Sequence, residues 1–349
     1  MNSKYQPKAL ALISGGLDSL LATKLILDQG VHVEGVNFFT GFCVEGHTHA
    51  IRKQAPDKQK RNNALWVAEQ LGIKLHIIDI VEEYKRVVMN PKYGYGANLN
   101  PCLDCKIFMI GKAKEWIQEN GFDFIITGEV VGQRPKSQNK KKMKIVLADT
   151  GTEEVLLRPL CAKKLEPTKP ELEGWVDREK LYDFSGRGRG PQIDLARKLG
   201  FDDYAQPAGG CCFLTDESYS KKLQDLWKNR GEKIYELDDI MLLKVGRHLR
   251  PRPHFKLIIA REEGEGRYLT GYQRQFTYAT CVSHPGALLL VDGELKPEDR
   301  ELVARILARF TQCPVGEKAK INIFYKNAIS YLLEVQPFSP EEILKEWYV

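Results

Sequence analysis

The stretch Ser14-Gly15-Gly16-Leu17-Asp18-Ser19 constrains this chain more than any other. An apolar run over 9–13 leads into it, and residues 20–27 leave it with helical spacing of their apolar side chains. It therefore reads as strand, glycine turn, helix. Glycine lets a backbone approach a ligand closely, and the first amides of a helix have no partner within it. An anion suits such a place, a phosphate best of all. The plainer reading is an ordinary turn in which Asp18 or Ser19 caps the helix. The full Ser-Gly-Gly-x-Asp-Ser string directly after an N-terminal apolar strand favours the phosphate. No Gly-Lys-Ser/Thr closes the loop, which excludes a Walker loop.

Strand and helix signals go on alternating beyond it. Residues 31–39 read as a second strand, 62–71 as a helix and 74–80 as a third strand. A helix from Cys102 to about Asn120 leads to a fourth strand over 122–128 that again ends in glycine, and 155–160 is a short fifth. Strands spaced by helices imply a parallel sheet, with ligands above the carboxyl ends of its strands. At 349 residues the chain is too long for one core. The expected organisation is an α/β parallel-sheet domain over 1–165, a helical connector over 166–235 and a smaller α+β domain over 236–349. In that last part 255–260, 278–282, 287–291, 319–325 and 331–335 read as strands and 302–310 as a helix.

Hydrophobic residues make up 43% and charged residues 28%, as in soluble globular proteins. No apolar run reaches the length of a membrane span, and no apolar signal region precedes the first strand. The expected location is cytoplasmic, away from membranes. The net charge of +6 says little alone. Its basic residues gather at 134–144, 187–189 and 247–252, all read as loops. Three such clusters beside a nucleotide-type loop make nucleic acid a candidate partner.

Eight cysteines in a chain with these features point to metal or thiol chemistry rather than disulfides. Two groups are local: Cys102-Leu103-Asp104-Cys105 and Cys211-Cys212. The first lies at a helix start, a position that favours thiolate. Adjacent cysteines seldom ligate one metal together, so Cys212 is the expected third thiolate beside Cys102 and Cys105. Three thiolates suit an iron–sulfur cluster with one open iron, or a reactive pair that passes sulfur. Cys211, Cys161, Cys281 and Cys313 read as small buried residues. Cys43, His47 and His49 lack a second ligand pair at zinc spacing and read as a mobile loop.

Taken in order, Ser14 to Ser19, Asn100-Pro101-x-x-x-Cys105, Phe124-Ile125-Ile126-Thr127-Gly128, Leu157-Arg158-Pro159-Leu160 and Gly210-Cys211-Cys212-Phe213-Leu214 resemble the MnmA-type tRNA thiouridylases of the PP-loop ATP pyrophosphatase superfamily. Two departures stand out. Cys102 replaces the aspartate that usually follows Asn-Pro, and Glu129 replaces the histidine of the usual Thr-Gly-His. Residues 239–259 resemble NFACT-R (DUF814-like) RNA-binding domains rather than the β-barrel expected of MnmA.

The resemblance implies ATP-dependent thiolation of a tRNA uridine. Ser14, Gly15, Gly16, Ser19 and Gly128 would bind ATP, Asp18 would place Mg²⁺, and Cys105 and Cys212 would transfer sulfur. Cys102 in the aspartate position favours a [4Fe-4S] cluster on Cys102, Cys105 and Cys212 over a plain persulfide relay. A sulfur donor, a cysteine desulfurase relay or free sulfide, is implied as well. Tyr93 and Tyr95 are candidates to stack on an extruded uridine. The other readings are a PP-loop enzyme acting on a small molecule, and a non-catalytic RNA-binding protein.

Overall fold

The structure, a computed structural model, describes residues 5–44, 62–134, 136–205, 212–325 and 330–349. These form two compact units, one of residues up to 44 and 62–205, the other of 212–349.

The first unit is built on a parallel sheet of β1 (Lys8–Leu12), β2 (His32–Phe39), β3 (Leu75–Asp79), β4 (Phe124–Ile126) and β5 (Leu156–Leu157), in the order β3-β2-β1-β4-β5. Ala9, Leu10 and Ala11 of β1 are fully buried, because helices cover both faces of a parallel sheet. On one face pack α1 (Leu17–Leu27), α2 (Asn63–Leu71) and the segment through residues 176–201. On the other lies α4 (Cys102–Asn120), with Ile110, Ala113 and Ile117 buried, preceded by α3 (Val81–Met89). α1 buries Leu17, Leu20, Leu21, Ala22, Leu25 and Ile26, apolar nearly all round as a central helix must be.

Strand order reverses between β1 and β4: from β1 the chain moves to one side, and the later strands add on the other. A crevice opens beyond the carboxyl ends of two strands whose connections diverge, and that is where ligands bind in such sheets. The glycine loop follows β1, and Thr127-Gly128-Glu129 follows β4.

Three expectations change. Lys140 to Lys144 do not form a loop; they open helix α5 (Lys140–Thr150), capped by the Asn139 side chain, which accepts a 2.9 Å bond from the Lys142 amide. Lysine is a good helix former, and Met143 and Val146 bury one face of that helix. The expected connector does not stand apart either. Short α6 (Lys169–Leu172) and α7 (Gly190–Lys198) belong to the first unit, where Val176, Leu181, Leu195 and Phe201 share the core of β1 and α1. Residues 212–235 belong to the second unit. Finally, the basic run at 247–252 is a strand.

The second unit carries α8 (Glu217–Arg230) and α9 (Leu237–Leu242) ahead of an antiparallel sheet. Its strands are β6 (Arg247–Arg252), β7 (Phe255–Ile259), β8 (Thr277–Cys281), β9 (Leu289–Gly293), β10 (Ala319–Phe324) and β11 (Ser330–Val335), in the order β11-β10-β8-β9-β7-β6. α10 (Glu263–Thr270) precedes β8, and α11 (Arg300–Arg309) packs Val303, Ala304, Ile306 and Leu307 on one sheet face. Pro251 is tolerated because β6 is an edge strand whose register with β7 shifts between Leu249 and Arg252.

His248 of β6 is buried and shares a 2.9 Å hydrogen bond through Nε2 with the Val245 carbonyl. Burial, with the Lys222 and Lys256 cations nearby, holds its imidazole well below the usual histidine range. The unfolded chain therefore takes up a proton near pH 6.5 that the folded unit refuses. Stability should fall by up to about 1.4 kcal/mol for each pH unit below that point. Urea midpoints followed by fluorescence of the buried Trp227 at pH 7.5 and 5.5 check this. A His248→Gln variant should flatten the difference, and an equal slope in that variant would refute the assignment.

Candidate active site at the strand switch point

The glycine loop owes its shape to close packing. Gly15 has φ +77°, and a Cβ there would lie 2.7 Å from the Cβ of Asn63 and 2.8 Å from the amide nitrogen of Ala64, at the start of α2. Gly16 caps α1 in an extended conformation with no side-chain cap, so the first-turn amides are left facing outward from the helix end. The Ser19 hydroxyl donates to the Gly16 carbonyl at 2.8 Å, and the Ser14 hydroxyl lies 3.4 Å from that of Ser19. Gly16 also forms a parallel bridge with Ala205.

The end of β4 meets this loop. A Cβ on Gly128 would come within 2.5 Å of the Asp18 carbonyl carbon and oxygen and 2.6 Å of the Ser19 nitrogen. The close approach that glycine permits here is thus between β4 and the loop itself.

Asp18 is largely buried. Its Oδ2 accepts a 2.7 Å bond from the Gln133 amide and lies 3.7 Å from the Arg189 guanidinium, while Gln192 donates to Gln133 at 3.2 Å. Oδ1 is buried and accepts no hydrogen bond among the described residues. Burial raises the carboxyl above its ordinary value, against the opposing pull of Arg189 and Gln133. Gln133 and Gln192 were not legible as site residues, since nothing local distinguishes them. Arg189 was visible only as part of a basic turn.

Next to Gly128, Glu129 is buried at 2% exposure. Its Oε2 accepts from Arg158 Nε at 2.9 Å and from the Thr127 hydroxyl at 3.2 Å, and Oε1 lies 3.7 Å from Lys106 Nζ. Burial works to raise this carboxyl, but Lys106 and Arg158 outweigh it and hold the carboxyl below the usual range. The Cys161 thiol donates to the Glu129 carbonyl at 3.2 Å, and burial pushes that thiol up to about 11. Cys161 is accordingly a packed thiol, not a nucleophile.

The C-x-x-C turn opens α4 one residue before Lys106. Cys102 and Cys105 are half-buried, and Asn100 Nδ2 lies 3.1 Å from Cys102 Sγ. Asp104 accepts the Tyr93 amide at 3.1 Å and so ties the preceding loop down. Tyr93 bonds Asp149 at 3.0 Å, and Tyr95 bonds the Val88 carbonyl at 2.5 Å. Both hydroxyls thus anchor the loop.

Cys212 lies in the second unit, half-buried before a short 3₁₀ turn over Phe213–Thr215. The Thr215 hydroxyl donates to its carbonyl at 2.8 Å. Cys211, His47 and His49 lie outside the described residues. Among the described residues no three His, Cys, Asp or Glu side chains are grouped to hold a metal ion. The expected [4Fe-4S] site on Cys102, Cys105 and Cys212 has no geometric support among them. No described helix is long and apolar enough to cross a membrane.

A five-stranded parallel sheet with a phosphate-type loop at its switch point defines the first unit as a PP-loop α/β domain, joined to a separate antiparallel-sheet domain. Family models agree in both places: the tRNA methyl transferase HUP domain matches residues 7–167, and the NFACT protein RNA binding domain matches 246–348. The tRNA-specific 2-thiouridylase MnmA of Treponema denticola is 35% identical over 342 residues, 94% of this chain and 81% of that one. The MnmA of Mesoplasma florum is 29% identical over 254 residues, 69% of this chain. That of Petrotoga mobilis is 26% identical over 246 residues, 66% of this chain. The chain belongs to the MnmA family of tRNA-specific 2-thiouridylases. The matches span 64% and 62% of the length of the Mesoplasma and Petrotoga relatives.

Proposed function

We propose that this protein thiolates a uridine of tRNA in an ATP-dependent reaction. The observation that carries the reading is the end of β4, which touches the glycine loop through Gly128 and the cysteine-bearing helix through Glu129 and Lys106. Family membership supports it.

A uracil carbonyl oxygen is a poor leaving group. Its attack on the α-phosphorus of ATP makes a uridine adenylate and releases pyrophosphate. The amides from Gly15 to Ser19 and the hydroxyls of Ser14 and Ser19 would hold the phosphates and steady the departing charge. Asp18 fits Mg²⁺, because its buried Oδ1 accepts no hydrogen bond among the described residues and sits on the same turn. When bound, that ion would neutralise phosphate charge.

Sulfur enters from a cysteine persulfide, charged by a desulfurase relay or by sulfide with an oxidant. Its terminal sulfur bonds to the activated carbon, the C–O bond breaks and AMP leaves. A second cysteine thiolate then attacks the sulfur still attached to the protein. The S–S bond gives its electron pair to the thiouridine sulfur, and the protein disulfide that results is reduced by an external thiol. By motif, Cys105 and Cys212 are the residues for these two roles.

Lys140 and Lys141 open the first turn of α5, Lys144 follows one turn on, and none of the three makes an ion pair among the described residues. Cations at a helix N-terminus repel its dipole, so a polyanion would relieve them. The double variant Lys141→Ala/Lys144→Ala should lower the slope of log K for tRNA against log [salt] by roughly 1.5. Filter binding over a salt series measures it, and an unchanged slope removes α5 from the RNA contact.

Mass spectrometry of tRNA nucleosides from cells with and without this protein tests the function itself. One thiolated nucleoside should disappear in its absence and return on complementation. Unchanged nucleosides, together with pyrophosphate release that needs no RNA, would overturn the reading in favour of a small-molecule substrate.

A further inference from the structure

Consecutive residues at the end of β4 serve two different neighbours. The backbone of Gly128 lies against Asp18 and Ser19, where even a methyl group would clash. The carboxylate of the next residue, Glu129, lies between Arg158, just past β5, and Lys106 of α4. Lys106 directly follows Cys105. Any shift of the cysteine turn against the glycine loop must therefore stretch this bridge or push on Gly128.

The two contacts differ in character. Arg158 is 3% exposed and bonded to Glu129 at 2.9 Å, so that pair is part of the core. The Lys106 side chain is 26% exposed and its ammonium stands 3.7 Å from Oε1, so its removal leaves the buried Glu129 carboxylate paired with Arg158.

We infer that Glu129, acting through Lys106, is a positioning residue that holds the Cys105 turn in register with the glycine loop, so that the uracil activated at one receives sulfur at the other. The inference rests on the thiolation reading above. Its effect is on coupling: the adenylate forms on the loop, and sulfur must reach it before water does. A displaced cysteine turn leaves the first event intact and lets hydrolysis take the second, since misplacement by about an ångström costs transfer steps on the order of a hundredfold.

The test is the Lys106→Met variant of the full chain, assayed for tRNA-dependent pyrophosphate release and for thiolated nucleoside in the same reaction. Pyrophosphate release should stay within about twofold of the parent, while thiouridine formed per pyrophosphate falls at least about tenfold. Lys106→Arg, which keeps the charge and the reach, should restore the ratio. Glu129→Gln should uncouple the reaction as Lys106→Met does, and its thermal unfolding separates this effect from loss of fold. An unchanged ratio in Lys106→Met overturns the inference, as does a parallel fall of both readouts. If the parent protein itself releases no pyrophosphate with tRNA, the thiolation reading fails instead.

Discussion

Serine at Cys105 or at Cys212 should abolish sulfur incorporation while pyrophosphate release with tRNA continues. A serine hydroxyl cannot carry a persulfide, and an alkoxide is not available at neutral pH as a thiolate is. Each single substitution should lower thiouridine formation by about a thousandfold or more, because neither cysteine can substitute for the other's role. The glycine loop is untouched by either change, so adenylation proceeds and the adenylate is lost to water. Mass spectrometry of the product nucleoside, with pyrophosphate counted in the same tube, separates the two steps. A Cys212→Ser protein that still thiolates at the parental rate would place sulfur delivery elsewhere. Loss of both steps together would show that the cysteine is needed for the fold or for ATP.

Asp18→Asn should make the protein more stable and nearly inactive. Burial disfavours the Asp18 carboxylate and raises its pKa, so the folded unit binds a proton more readily than the unfolded chain does. That unit should therefore gain stability as pH falls from the raised value towards 3.8, and above the raised value the ionised group costs stability. Asparagine removes the charge and still accepts the Gln133 amide. It can also donate to Oε1 of adjacent Gln192, which is buried and makes no hydrogen bond among the described residues. The Arg189 guanidinium, at 3.7 Å and without a hydrogen bond to the carboxylate, does not offset the burial. A gain of about 1 kcal/mol corresponds to roughly 2–4 °C in Tm. Cleavage of ATP should fall by about a hundredfold, because a neutral amide holds Mg²⁺ poorly. Calorimetry and pyrophosphate release measure the two halves. An Asp18→Asn protein that keeps full ATP cleavage would remove the carboxylate from the site, and one that melts lower would show that Asp18 is structural.

Much of this protein can be read along the chain. Ala9-Leu10-Ala11 before Ser14 specifies a strand buried on both faces, and the glycines after it specify a tight turn into a helix. The antiparallel domain likewise follows from short apolar runs at 255–260 and 319–325. Local pattern also marks two elements that charge disguises. Asn139 before Lys140, with Met143 and Val146 at helical spacing, marks α5 although the lysines suggest a loop. Leu249 and Pro251 alternate with Arg250 and Arg252 as an edge strand does, although the charge there suggests a loop as well.

What sequence alone determined is the set of elements and the chemistry they carry: a phosphate-type turn at Ser14 to Ser19, a C-x-x-C at the head of a helix, and basic segments. Backbone propensity, apolar period and side-chain type are properties of neighbouring residues, and neighbours suffice to specify them. Only the tertiary structure decided that β4 lies beside β1, that Gly128 supports Asp18, and that Glu129 joins Arg158 to the cysteine helix. Those contacts depend on pairing between strands more than a hundred residues apart. They depend also on burying a carboxylate between two cations, and neither condition leaves a trace in local spacing.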